Sequence, residues 1–525
     1  MAETSLINYE EVTYPNFVHA QTHPNRLAVM ARAYGLKTAP VEKCRVLEVG
    51  CGSGTNLLAM ACNLPESDFV GIDLSENHIK FGKQAAAEMG VKNLKLICAD
   101  LFEFDFSAFG KFEYIIAHGF FSWVPPFVRE KLFELCRENL AQEGAAFISY
   151  NAFPGCHLRL MMREMMMFHT ENIESPFEKV NQSVALLSYL KENVFEKEIY
   201  GKILENEYEK TAERQAELIM HDDLGDFNQP FYFHEFISEA EKYDLQFLSE
   251  AEYFHDKYTS FDAPVVKVLD QFGDDQIIRR EQFFDFLKNR RFRQTLLCHK
   301  NANLKRKVAD NFFDDLKIVC DLHPESESPD FAPQKIEKFV KPGKDGVTID
   351  HPLTKAALFY LCEIFPRSVS FTELADTSEK LVKDQLKDFT CAENDREILK
   401  DVLMKIFGSE LVNFFLYEPP IAGNPSEKPE ADNFIRWQAR NSDTLFTRRF
   451  RTKKIEDEFV RNLIFLCDGE HTREDIINDF REKILDGRLK MDGADETVKQ
   501  KFIETLPETL ENQLRQAAKL GLFIS

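Results

Sequence analysis

No C-x-x-C pair occurs among the eleven cysteines, which are scattered and mostly sit within apolar runs. That spacing excludes a dithiol redox motif or zinc knuckle and reads as reduced thiols in a cytosol. No apolar run approaches the roughly 20 residues that span a bilayer. The start, Met-Ala-Glu-Thr-Ser, lacks the basic segment and apolar stretch of a secretory signal. A cytoplasmic protein without a transmembrane segment is expected. Positive charge is also short: 65 Lys and Arg stand against 88 Asp and Glu, a net charge of −23. Broad contact with nucleic acid needs a basic face and is not expected, whereas a basic protein segment suits an acidic chain. The 48 phenylalanines read as compositional bias and carry no function. A chain of 525 residues exceeds one core and implies about three domains.

What is present begins with Val46-Leu47-Glu48-Val49-Gly50-Cys51-Gly52-Ser53-Gly54-Thr55-Asn56. A short apolar run, alternating glycines and a helical start make a strand–turn–helix corner of the kind that holds nucleotides. Dinucleotide sites use G-x-G-x-x-G and seat a pyrophosphate on the helix N-terminus. Here the spacing is G-x-G-x-G, and Glu48 precedes the first glycine by two residues. A carboxylate there repels a pyrophosphate and suits a ligand bearing an ammonium and a sulfonium, such as S-adenosylmethionine (SAM).

From Arg45 to Tyr150 strands and helices alternate, which predicts a parallel sheet with helices on both faces and a ligand at the strands' carboxyl ends. The expected strands are Arg45–Val49, Phe69–Asp73, Leu94–Cys98, Phe112–Ala117 and Ala145–Tyr150. Asp73 closes the second, about twenty residues past the glycine turn, where a carboxylate accepts from ribose hydroxyls. Asp100 follows the third, placed to accept from an adenine amino group. Either acid also suits a helix cap or a turn, but the ordered series Glu48, glycines, Asp73, Asp100 favours the cofactor. Ahead of the sheet, Gln21-Thr22-His23-Pro24 predicts a short helix with Thr22 as N-cap, lying over the cleft or packing on the sheet edge.

This series resembles a class I SAM-dependent methyltransferase. With Gln21-Thr22-His23-Pro24, Ala117-His118-Gly119, Ser122-Trp123-Val124-Pro125, Ser149-Tyr150-Asn151 and Pro154-Gly155, the chain further resembles the bacterial methyltransferases that carry a methyltransferase regulatory domain, a group including rickettsial-type protein lysine methyltransferases of outer-membrane proteins. The resemblance implies a Rossmann-like α/β domain at residues 1–156, a mainly helical regulatory and dimerising middle at 157–323, and two winged-helix-like modules at 347–420 and 433–525. It implies that Glu48, Gly50, Gly52 and Asn56 hold the methionine end of SAM, Asp73 and Leu74 the ribose and adenine face, Asp100 and Leu101 the adenine edge, and His118 and Gly119 the reactive methyl. The expected activity is methyl transfer from SAM, giving S-adenosylhomocysteine, to accessible lysines of a protein partner by a homodimer. Methylation of a small molecule and SAM-dependent scaffolding are the alternatives. The loop after the fourth strand reads His-Gly-Phe-Phe-Ser-Trp and lacks the Asn/Asp-Pro-Pro-Tyr of nucleobase and amide methyltransferases.

Candidate catalytic residues are His118, Trp123 and Tyr150. His118 either takes the lysine proton or is a hydrogen-bonded strand-end histidine. Phe120, Phe121, Trp123 and Tyr150 either line an apolar acceptor channel, whose rings face cations, or merely pack. Met161, Met162, Met165, Met166 and Met167 suit an interdomain core or an adaptable partner face. Helices are expected near Phe177–Asn193 and Glu196–Met220. The dense stretch His221-Asp222-Asp223 to His234-Glu235 matches no metal spacing, and no metal is expected. The basic runs Arg290-Arg291-Phe292-Arg293 and Lys305-Arg306-Lys307 read as solvated or internally paired. Pro324 to Gly346 reads as a linker. Arg448-Arg449-Phe450-Arg451 in the last module is the local hint of nucleic acid, outweighed by a docking reading.

Overall fold

The computed structural model describes residues 12, 14–253, 261–341, 344–489 and 496–525. Residues 1–11 and 13, which open the first expected domain, lie outside the described residues. The order begins α1 (Pro24–Ala33), β1 (Arg45–Val49), α2 (Thr55–Asn63), β2 (Asp68–Asp73), α3 (Glu76–Glu88), β3 (Leu94–Cys98), β4 (Phe112–Ala117), α4 (Pro126–Asn139) and β5 (Leu140–Asn151). The strands alternate faces as their period demands. Val46, Tyr114, Ile116 and Phe147 enter one core, and Leu47, Val49, Ile115, Ile148 and Tyr150 the other. Both faces are therefore apolar, as a sheet covered on two sides requires. Ser75 caps α3 by accepting the His78 N–H, and Pro126 opens α4, where a missing N–H costs nothing. α1 is capped by the ring of His23, which accepts the Asn25 N–H at 3.1 Å, and not by Thr22. Thr22 sits one turn earlier and donates to the His19 carbonyl.

Five strands do not complete the sheet. β6 (Leu245–Glu250) and β7 (Phe292–His299) extend it to seven, in the order β3-β2-β1-β4-β5-β7-β6, with β7 antiparallel to both neighbours. The sheet thus draws on residues well beyond the expected boundary at 156. Between β5 and β6 run α5 (Cys156–His169), α6 (Pro176–Asn193), α7 (Tyr200–Ala212), α8 (Ala216–Asp222) and α9 (Phe233–Glu241). Met162, Met166, Val180, Leu187, Leu204 and Ile219 give the first four a core of their own, which Val12 joins. The single helix expected over Glu196–Met220 is two, broken where Arg214 turns back to pair with Asp222 and Asp223.

α10 (Ala263–Leu269) and α11 (Ile277–Lys288) lead into β7. Arg293 on β7 is fully buried and paired with Glu250 at 2.7 Å, Asp285 at 2.9 Å and Glu281 at 3.2 Å, its guanidinium 3.8 Å from the Phe233 ring centroid. Burial is the main force raising the Glu281 and Asp285 pKa values, and the Arg293 charge opposes it. The Arg290–Arg293 run is therefore an internal ion-pair partner, and Arg306 of the next run donates to the Phe247 carbonyl at 2.9 Å.

The segment read as a linker is folded: Glu337–Lys341 pairs with Lys344–Ile349 and with His323–Pro324. The buried Lys355 ammonium fixes the loop before it by donating to the carbonyls of Asp330, Ala332 and Lys335. Composition alone gave no sign of that cation, which lies in the next helix. Helices Pro352–Ile364, Phe371–Gln385 and Glu393–Gly408 surround a small sheet of Lys317–Cys320, Val369–Ser370 and Val412–Phe415. The last module has helices Asn433–Asn441, Glu458–Leu466, Arg473–Leu485 and Glu496–Lys519 with the hairpin Thr444–Thr447/Arg451–Lys454. Near its end a single bridge joins Phe523 to Ala431. Both modules grip the first domain: Asn25 donates to the Phe414 carbonyl and accepts the Leu416 N–H, and Asn433 donates to the Met89 carbonyl, all at 2.9 Å.

Arg293→Ala removes the cation paired with Glu250, Glu281 and Asp285, leaving only Arg290 beside Asp285 and Glu250, and is expected to cost about 3–5 kcal/mol. The readout is the midpoint of the first urea transition, and a midpoint equal to that of the wild type refutes the account.

Candidate active site

β1 ends in a turn where Gly50, Gly52 and Gly54 all have positive φ, +69°, +54° and +71°. A Cβ on Gly50 would lie 2.6 Å from the Phe120 ring, and one on Gly54 2.5 Å from Leu96. A Cβ on Gly52 would meet nothing within 4 Å, so this glycine leaves its backbone bare toward a cavity. The cavity measures about 710 Å³ and lies at the carboxyl ends of β1 to β5, roofed by α5, α7 and α8.

Glu48 lines it and is only 4% exposed. Its Oε1 accepts from Asn56 Nδ2 at 2.8 Å, while Oε2 is buried without a partner. Burial pushes its pKa up to about 8, the nearby Asp73 charge adds to the rise, and the Asn56 bond opposes it. Such a carboxylate lacks a cation. An ammonium or sulfonium supplies one, so the residues present fit SAM. Asp73 accepts the Gly52 N–H at 2.8 Å and the Ser75 N–H at 2.9 Å, which aims its remaining lone pairs at the cavity. Leu74, Asp100 and Leu101 line the same space, and Asp100 is set by accepting the Phe102 N–H at 2.8 Å.

His118 and Gly119 also line it, and the Gly119 N–H donates to Ser149 Oγ. The His118 ring stacks on His19, centroids 3.8 Å apart, with its Nε2 3.4 Å from Gln21 Nε2. Burial holds His118 well below the usual histidine range and His19 at about 4, so both rings are neutral at neutral pH. Trp123 lines the cavity with a buried, unpartnered Nε1. Tyr150 is not brought there. It is 0% exposed on the opposite face of β5, stacked on Phe236 at 4.1 Å, with its hydroxyl 3.2 Å from Thr295 Oγ1. Strand alternation accounts for this: its neighbour Asn151 points the other way and lines the cavity.

Several lining residues were not singled out from sequence. Tyr14, Asn16, Phe17 and His19 form a strap over the glycine turn. It is tied down by the His19 N–H on Asn56 Oδ1 at 2.9 Å, by Ser53 Oγ on Asn16, and by His221 Nε2 at 2.6 Å from the Val12 carbonyl. The roof presents Arg159, Glu207, Arg214, Asp222 and Asp223, all lining the cavity. Arg159 pairs with Asp223 at 2.6 Å, Arg214 with both aspartates, and Arg291 with Glu207. The acids of the His221-Asp222-Asp223 run thus serve arginines, and among the described residues no cluster suits a metal. Pairing across this distance leaves no local sequence signal.

A methyltransferase domain model matches residues 40–213, a predicted methyltransferase regulatory domain 215–299, and the PKMT C-terminal winged helix domain 427–522. An uncharacterised protein of Rickettsia prowazekii is 29% identical over 513 residues, 96% of this chain and 90% of the relative. A second from that organism is 36% identical over 247 residues, 47% of this chain and 98% of the relative. The solved structure of PKMT2 from Rickettsia typhi superposes with a TM-score of 0.85 at 26% identity, covering 98% of this chain and 100% of that one. The same protein in complex with AdoHcy gives 0.84.

Because Glu48 titrates near 8 in the folded protein and near 4.5 in an unfolded chain, its contribution to stability is full below pH 4.5 and is lost as pH rises through 8. Glu48→Gln is therefore expected to stabilise the cofactor-free protein at pH 8.5, by an increment that shrinks toward pH 5 at up to ~1.4 kcal/mol per pH unit. Melting curves of stripped protein at both pH values test this, and a pH-independent difference refutes it.

Proposed function

Because the chain belongs to the bacterial class I SAM-dependent methyltransferases that carry a methyltransferase regulatory domain, we propose that it methylates lysine side chains of a protein, a surface or outer-membrane protein by family kinship. The observation that carries the lysine reading is full-length similarity to PKMT2 from Rickettsia typhi, together with a cavity that runs on from the glycine turn to the aromatic residues Phe120, Trp123, Phe227 and Phe292.

When bound, SAM supplies an electrophilic methyl on a sulfonium. Glu48 and Gly52 would hold its methionine end beside Gly50 and Asn56, Asp73 the ribose, Leu74 the adenine face, and Asp100 and Leu101 the adenine edge. His118 and Gly119 border the methyl. Transfer to an amine is in-line, so alignment and desolvation supply most of the rate. The acceptor must arrive neutral, and an aromatic wall lowers the pKa of an ammonium by withholding water. A neutral, buried His118 is too weakly basic to take that proton at neutral pH. Its proposed role is to shape the methyl pocket with His19, while Trp123 Nε1 donates to the acceptor's backbone. Tyr150 acts from beneath as a support for β5.

No described helix is long and apolar enough to cross a membrane, and every described cysteine is free, which supports a cytoplasmic site of action. The exposed Phe168, Tyr189, Phe195 and Ile199 on the helical insert support a homodimer contact.

Methyl-labelled SAM with cell-envelope proteins is expected to label lysines, and label confined to small molecules or other side chains overturns the lysine reading. Asp73→Ala is expected to weaken SAM binding about 10- to 100-fold by removing a charge-assisted contact of ~1.5–3 kcal/mol, read by calorimetry. An unchanged Kd shows the ribose assignment wrong. His118→Asn is expected to lower turnover while keeping its rise between about pH 7 and 9. A variant whose activity no longer rises with pH restores His118 as the base.

A further inference from the structure

The Arg448–Arg451 run leaves one guanidinium unmatched. Arg448 donates to Asp432 at 2.7 Å. Arg449 beside it is only 6% exposed and has no ion pair among the described residues. Its guanidinium lies 3.9 Å from the Phe365 ring centroid, which fixes the plane and leaves the edges free. Nε and Nη2 are both buried without a hydrogen-bond partner. These two nitrogens are the parallel donors on one side of the fork, the edge that grips a carboxylate or phosphate with two bonds. Gly521 makes the room: it sits at φ +74°, and a Cβ there would lie 3.1 Å from Arg449 Cγ and Nε.

Arg449 lines a cavity of about 410 Å³ between the two C-terminal modules. Lys519 and Arg367 line it with one acid, Glu418, which Ser368 Oγ engages at 2.7 Å; Arg367 is already paired with Glu373 at 3.4 Å, and the Asp321 charge also acts on Arg449. Two orphaned donors on a buried cation are costly unless something accepts from them. Burial pushes the Arg449 pKa down to about 10, which leaves it charged at neutral pH.

We propose that this cleft binds a small oxyanion, a carboxylate or phosphate, side-on to the Nε–Nη2 edge of Arg449, with Lys519 at the entrance. A nucleic-acid backbone does not suit it, because a duplex cannot bring a phosphate to so buried a guanidinium.

The test uses the full-length protein in chloride buffer, titrated by calorimetry with inorganic phosphate, acetate, and a dipeptide with a free or an amidated C-terminus. One anion per chain is expected, unaffected by saturating S-adenosylhomocysteine. Arg449→Lys, which keeps the charge and loses the fork, is expected to weaken binding about tenfold or more, and Lys519→Gln about two- to fivefold. Equal response to phosphate and acetate identifies a free small anion, and preference for the free dipeptide over the amidated one identifies a chain end. Competition by S-adenosylhomocysteine, binding unchanged in Arg449→Lys, or no response beyond that to added chloride overturns the proposal. If Arg449→Lys does not fold, Lys519→Gln decides: undiminished affinity refutes the site. Binding confined to duplex DNA refutes it too.

Discussion

A carboxylate that has lost its water and gained one hydrogen bond governs this molecule. Glu48 is held on one oxygen by Asn56 and left bare on the other. Asn56 in turn accepts the His19 N–H and donates to Thr22 Oγ1 at 3.0 Å. The strap that closes the cleft is thereby fastened to the same side chain that positions the acid. Burial sets the acid against its own ionisation, so the site favours a cation beside it. Binding energy and folding energy are opposed at this residue.

A second buried charge system does the converse. Around Arg293 each buried acid has a cationic partner, and these pairs join β6, β7 and α11 into one body. Tyr150 belongs to this region, not to the cavity. One residue along β5 separates a side chain that supports the sheet from one, Asn151, that lines the cavity.

The first five strands and the acids and glycines that line the cavity were legible because each is local. Apolar runs of strand length, glycines in a turn and acids at strand ends sit within a few residues of the backbone they serve. The acids Asp73 and Asp100 line one cavity as their order along the chain implied. Other features were set at a distance. Nothing within Pro324–Gly346 announces a lysine at 355 that orders it. Nothing around Arg214 announces that it pairs with two aspartates and so splits a helix. His118 was read by its position, but its protonation is set first by burial and then by the His19 ring stacked on it from far along the chain. The Tyr150 reading failed on parity: a motif does not say which face of the sheet each member takes.

The helical insert leaves the sheet at Asn151 and returns to it at Leu245. An appendage tethered once can swing clear. One whose two ends are stitched into strands of a single sheet is restricted to rocking over it. The two anchors, with the arginine–aspartate pairs inside the roof, hold the insert over the cavity as one unit.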